Sequence, residues 1–128
     1  MKLIIGGACQ GKLAYACRLT GWEPEAFADG HSCEFEELDT CRGMYGFHEY
    51  LRRMLSEGRD LSGLAERIFK KNPDVVLISN EVGYGVVPVD AFERQYREVC
   101  GRVCCALTAK ASEVHRVICG VGMVIKHE

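Results

Sequence analysis

Several things are missing from this sequence, and each absence excludes a class of protein. No apolar run approaches the ~18 residues that a helical membrane span needs. Neither charge dominates: 16 Lys+Arg stand against 18 Asp+Glu, a formal net charge of −2. With no basic excess and no block of like charges, nucleic acid is not an expected partner. The opening Met1-Lys2-Leu3-Ile4-Ile5-Gly6-Gly7 carries a charge and an apolar stretch too short for a signal peptide, so a cytoplasmic location is expected. There is no C-x-x-C pair, which removes the usual zinc spacing. No internal repeat, low-complexity tract or linker interrupts the chain, and a single domain over residues 1–128 is expected.

What is present fits a folded domain. Hydrophobic residues make up 48% of the 128 and charged residues 27%, enough apolar surface to offset the entropy of ordering one core. Eight cysteines are many for this length: Cys9, Cys17, Cys33, Cys41, Cys100, Cys104, Cys105 and Cys119. A disulfide framework belongs to small secreted chains without a proper core. Cys100 and Cys104, four apart on a helical segment, can in principle share a metal with Cys41 or His115. The reading adopted is small buried thiols acting as apolar residues, with no structural metal.

Strand and helix signals alternate. Lys2 to Ile5 is a short apolar run that ends at Gly6-Gly7, a buried strand entering a tight turn. A helix follows from Gly11 to about Thr20, ended by Gly21. Trp22 to Gly43 is polar, acidic and irregular. Phe47, Tyr50, Leu51, Met54 and Leu55 then follow helical spacing, stopped by Gly58. Leu61, Leu64, Ala65, Ile68 and Phe69 mark a second amphipathic helix ending at Asn72-Pro73. Asp74 to Asn80 contains the β-branched run that parallel sheets bury on both faces, and leads into the loop Glu81-Val82-Gly83-Tyr84-Gly85. Asp90 with Glu93 starts a long helix through a capping-box pattern, with Phe92, Tyr96, Val99, Val103, Ala106 and Leu107 along one stripe. Gly101 inside it costs roughly 1 kcal/mol relative to alanine, so a close neighbouring element is expected there. Val114 to Cys119 and Met123 to Lys126 read as two final strands, with Gly120 and Gly122 between. The pattern predicts an α/β fold, a mostly parallel sheet with helices on both faces.

The strongest chemical signal is at the first strand-to-helix turn. Gly6-Gly7-Ala8-Cys9-Gln10-Gly11-Lys12 fits G-x-x-x-x-G-K at the place where a phosphate-binding loop must stand. Glycines let the backbone curl so that N–H groups point inward, and the helix amino terminus adds its positive dipole end. Lys12 then reaches the β- and γ-phosphates as a mobile charge. The competing reading is a tight turn with a solvated lysine; the position after an apolar strand favours phosphate. Leu13 stands where the motif has Ser or Thr as a Mg²⁺ ligand, and leucine offers no oxygen. Mg²⁺ stays admissible but is weakened by Leu13, whereas backbone cradling of phosphate is not. Cys9, inside the loop and close to Lys12, is expected to be the most reactive thiol.

Ile78 to Lys126 resembles the corresponding part of the adenosylcobinamide kinase/adenosylcobinamide-phosphate guanylyltransferase family. Asn80, Glu81, Val82, Gly83, Gly85, Val87 and Pro88 match its N-E-V-G-x-G-x-V-P stretch, while Arg97, Gly101 and Arg102 match the helix beyond. GGACQGK resembles its G-G-A-R-S-G-K-S loop. The resemblance implies a P-loop NTPase-like fold and ATP or GTP held by Gly6, Gly7, Ala8, Cys9, Gln10, Gly11, Lys12 and Leu13. It also implies a corrinoid as second ligand, with phosphorylation of its aminopropanol hydroxyl and then transfer of GMP through a guanylylated histidine. Family members work late in cobalamin assembly and form trimers, so a homo-oligomer is an expectation.

The middle departs from the family. The interval before N-E-V-G is shorter, and no R-x-x-x-H-x-x-x-R element can be read in it. His48 falls near an apolar helical stripe and reads as a packed residue, and His31 as an exposed loop residue. Glu81, at a strand's carboxyl end, is the candidate catalytic partner of Lys12, as base or metal holder; the alternative is a carboxylate that accepts loop N–H bonds. Asp39 reads as part of a solvated acidic face. Three functions follow: a nucleotide-dependent enzyme of this family, a catalytically impaired relative that binds nucleotide or corrinoid as an accessory protein, or a phosphate-loop fold kept for protein–protein contacts, which Gly6, Gly11, Lys12 and Glu81 argue against.

Overall fold

A computed structural model describes residues 1–8, 11–82 and 88–128. Its strands are β1 (Lys2–Gly6), β2 (Phe27–Asp29), β3 (Gly43–Tyr45), β4 (Val76–Asn80), β5 (Glu113–Ile118) and β6 (Val121–His127). Its helices are α1 (Lys12–Thr20), α2 (Phe47–Ser56), α3 (Leu64–Lys71) and α4 (Ala91–Lys110). The strands form one sheet in the order β2-β3-β4-β1-β5-β6, parallel except for the antiparallel β5–β6 pair.

Alternation along the central strands produces two cores. Leu3, Val75 and Leu77 pack with α2, α3 and α4 on one face. Ile4, Val76 and Ile78 pack with Ala16 of α1 on the other. This is the mostly parallel α/β sheet, covered on both faces, that the apolar runs predict. Phe47, Tyr50, Leu51 and Met54 form the buried stripe of α2, and Tyr96, Cys100, Val103 and Leu107 that of α4. Asp90 caps α4 by accepting the Glu93 N–H at 3.1 Å. The Glu93 side chain does not close a capping box; it takes Arg52 of α2 instead, one nitrogen at 3.0 Å.

The structure corrects the sequence reading in four places. Trp22 to Gly43, irregular by its sequence, contains β2 and two 3-10 turns, Pro24–Ala26 and Phe35–Asp39. Three-residue strands are too short to show a period, and β2 is fixed by pairing with β3, Phe27 opposite Gly43. Gly101 has no neighbour within 4 Å of where a Cβ would stand, so no close element explains it. Gly122 lies inside β6 rather than between strands, and the Tyr15 ring occupies the space its side chain would need. The thiols are not uniformly buried: Cys33 and Cys100 are, but Cys105 and Cys119 are exposed.

Candidate functional site

From β1 the chain passes through α1 to β2 at the far edge, and from β4 through α4 to β5 on the other side of β1. The strand order therefore reverses at the carboxyl ends of β1 and β4, where open α/β sheets hold their ligands. Gly6 and Asn80 end these strands in register, and Gly6 O accepts the Glu81 N–H at 2.8 Å.

The end of β1 has no room for a side chain. A Cβ on Gly6 would stand 2.5 Å from Val117 O. Gly11 caps α1 at φ 78°, a left-handed conformation that favours glycine. The N-cap of α1 is Gly11, which has no side chain to cap the helix, and no acidic residue lies in the first turn, an arrangement that suits an anion. Lys12 is buried, with Nζ donating to Gly7 O at 2.6 Å. Leu13 packs against the Ile4–Ala16 core and borders the cavity in front of the turn. Ala8 is exposed; Cys9 and Gln10, with the reactivity expected of Cys9, lie outside the described residues.

That cavity measures ≈480 Å³. One wall is the β1–α1 turn with Ile78 and Asn80; the other comprises His31, Tyr45, Gly46, His48 and Glu49. Asp29, at the end of β2, accepts through one oxygen both the backbone N–H of His31 (2.9 Å) and its ring Nδ1 (3.0 Å). Burial alone would raise the Asp29 pKa, but the bonds from His31, joined by the Tyr45 hydroxyl, hold it below the usual range. His48, in the first turn of α2, receives the Asn80 N–H on Nδ1 at 3.1 Å. Burial pushes its pKa down; Glu49, 3.7 Å from Nε2, opposes this, while His31 and Lys12 reinforce it. His48 is thus a wall of the cavity and not merely a packed helix residue. His31 faces the same space, its ring centroid 6.3 Å from that of His48. The readable signal was position: the first turn of a helix that follows a strand's carboxyl end is ligand-facing.

Two candidate carboxylates, Glu81 and Asp39, are paired with arginines. Glu81 is paired with Arg116, whose Nε lies 3.0 Å from Oε1, and is absent from the cavity wall. Asp39 is not a solvated acid; it takes Arg67 at 2.7 Å and lies 3.9 Å from Lys71. Cys100 and Cys104 are free thiols that hydrogen-bond to one another, and His115 is occupied by Tyr15 and Glu113. Among the described residues no three His, Cys, Asp or Glu side chains converge as a metal site. Leu13, after the lysine, offers no oxygen to Mg²⁺, and among the described residues Glu49 is the carboxylate on the cavity wall. Gly83 to Val87, which carry part of the N-E-V-G-x-G-x-V-P stretch, lie outside the described residues.

A mostly parallel α/β sheet with a glycine turn and lysine at its switch point defines a P-loop NTPase-like fold. The profile of the cobinamide kinase / cobinamide phosphate guanyltransferase family matches residues 48–125. The chain belongs to that family. It is also 48% identical over 52 residues to the bifunctional adenosylcobalamin biosynthesis protein CobU of Escherichia coli K12. The same identity and extent hold for its counterpart in Salmonella typhimurium LT2. Each match covers 41% of this chain and 29% of the relative. No helix among the described residues is long and apolar enough to cross a membrane.

Proposed function

We propose that residues 1–128 act as a single cytoplasmic nucleotide-binding domain that takes the triphosphate of ATP or GTP into the ≈480 Å³ cavity. The domain then transfers a phosphoryl group to a side-chain hydroxyl of a corrinoid, late in cobalamin assembly. The observation that carries this reading is the placement of buried Lys12 and the uncapped start of α1 at the β1–β4 switch point, in a chain of this family. The amides of the turn and Lys12 hold phosphate oxygens and offset charge as it moves to the leaving group. Leu13 and Ile78 add apolar wall beside the phosphates. Glu81, held by Arg116, stands at the carboxyl end of β4 beside the cavity. The apolar edge strand β6, where Val121 is 70% exposed and Met123, Val124 and Ile125 each about half, is the surface through which copies of the chain would associate.

The test is transfer of label from γ-labelled ATP or GTP to adenosylcobinamide. Slow transfer that depends weakly on added Mg²⁺ is expected, and Leu13→Ser should increase that dependence. Nucleotide binding without transfer identifies the accessory protein instead. Neither binding nor transfer removes the reading.

A further inference from the structure

We propose that the cavity holds its two histidines in opposite tautomers, His48 as a fixed Nε2–H donor to a phosphate oxygen and His31 as an Nε2 acceptor. The role of His48 rests on the nucleotide reading above; the tautomers do not.

The assignment follows from partners whose hydrogen-bonding sense is fixed. A backbone N–H can only donate, so the Asn80 amide 3.1 Å from His48 Nδ1 requires a lone pair on that nitrogen. In neutral imidazole the proton must then be on Nε2. Protonating both nitrogens would set Nδ1–H against the Asn80 N–H, which the β4 backbone holds in place. The groups facing His48 are Lys12 and His31, which disfavour a cation, and Glu49, which favours one from 3.7 Å, beyond hydrogen-bond reach. At His31 the sense is reversed. An ionised carboxylate can only accept, so Asp29 Oδ1, 3.0 Å from Nδ1, places the proton there and leaves the lone pair on Nε2. Gly46 leaves room for that ring, because a Cβ there would stand 3.0 Å from His31 Nδ1.

The consequence is a division of labour. His48 has no nitrogen available to attack or to take a proton, since one carries hydrogen and the other is bonded. It serves as a neutral donor beside Lys12 that binds phosphate without adding charge. His31 is the group of the pair able to accept a proton or form a bond.

The experiment is a long-range ¹H–¹⁵N spectrum of histidine-labelled protein without ligand, followed by GTP titration in EDTA of the parent, His48→Leu and His48→Gln. The spectrum should show His48 protonated on Nε2 alone at neutral pH, and neutral His31 on Nδ1. His48→Leu should weaken GTP binding about ten- to a hundredfold, the worth of one hydrogen bond to a charged group. His48→Gln, which restores a donor, should recover most of it; a purely structural role would not distinguish the two variants that way. A His48 proton on Nδ1, or an imidazolium at neutral pH, overturns the tautomers. Equal GTP affinity in the parent and His48→Leu overturns the donor role. If the parent binds no GTP, the nucleotide reading fails and the donor role with it, while the spectrum still decides the tautomers.

Discussion

The two walls of the cavity are built from different kinds of sequence. The β1–β4 wall rests on continuous apolar runs and a glycine turn, and its strands bury side chains on both faces. The wall of β2, β3 and α2 rests on strands three residues long. It is held by distant polar groups: Arg53 donates to Gly30 O at 2.8 Å and Cys33 O at 2.6 Å, and Asn72 bonds Leu38 O and Cys41 O. Local patterning specifies the first wall, and pairwise contacts across the fold specify the second. The two should therefore fail differently under mutation.

The largest effect is expected at Arg53, which does not line the cavity. Arg53→Ala removes two charge-assisted bonds and a guanidinium stacked 4.7 Å from the Phe35 ring, leaving buried carbonyls unpaired. A loss of about 3 kcal/mol is expected, a fall of roughly 10–15 °C in melting temperature. If the walls are independently specified, His31 resonances shift in this variant while those of β1 and β4 do not. Uniform shifts across both walls would break the comparison.

Two glycines sharpen it at smaller scale. A Cβ on Gly30 would overlap Gly46 O, backbone that cannot easily yield. Gly30→Ala should cost roughly 1–3 kcal/mol by overpacking. Among the described residues nothing lies within 4 Å of where a Gly101 Cβ would stand, so Gly101→Ala should stabilise α4 by about 1 kcal/mol, the helix-propensity difference. Thermal melts of the two variants should move in opposite directions. A destabilised Gly101→Ala would mean that something packs against that helix face in solution.

The same contrast explains what could be read from the sequence. The strands of the centre, the long helices, the Asp90 cap and the glycine–lysine turn all announce themselves within a few residues. β2 and β3 do not, because three residues carry no periodicity and their register depends on Phe27 meeting Gly43. His48 lies beside an apolar helical stripe, and only the arrival of β4 shows that its ring bonds the Asn80 amide and borders the cavity. Glu81 was legible as a residue at the switch point, but its pairing with Arg116, 35 positions away, was not. Position in the chain indicated where chemistry would stand; it did not indicate which side chains would be tied up by others.

The most direct test of the account is calorimetric titration of GTP into the parent and Lys12→Ala, each in EDTA and in excess Mg²⁺. The account predicts binding by the parent that changes little with Mg²⁺. It also predicts at least a tenfold loss in Lys12→Ala, about 1.4 kcal/mol or more, measured at a temperature where both proteins are folded. Equal affinity in the two proteins, or parent binding that appears only with Mg²⁺, would contradict it.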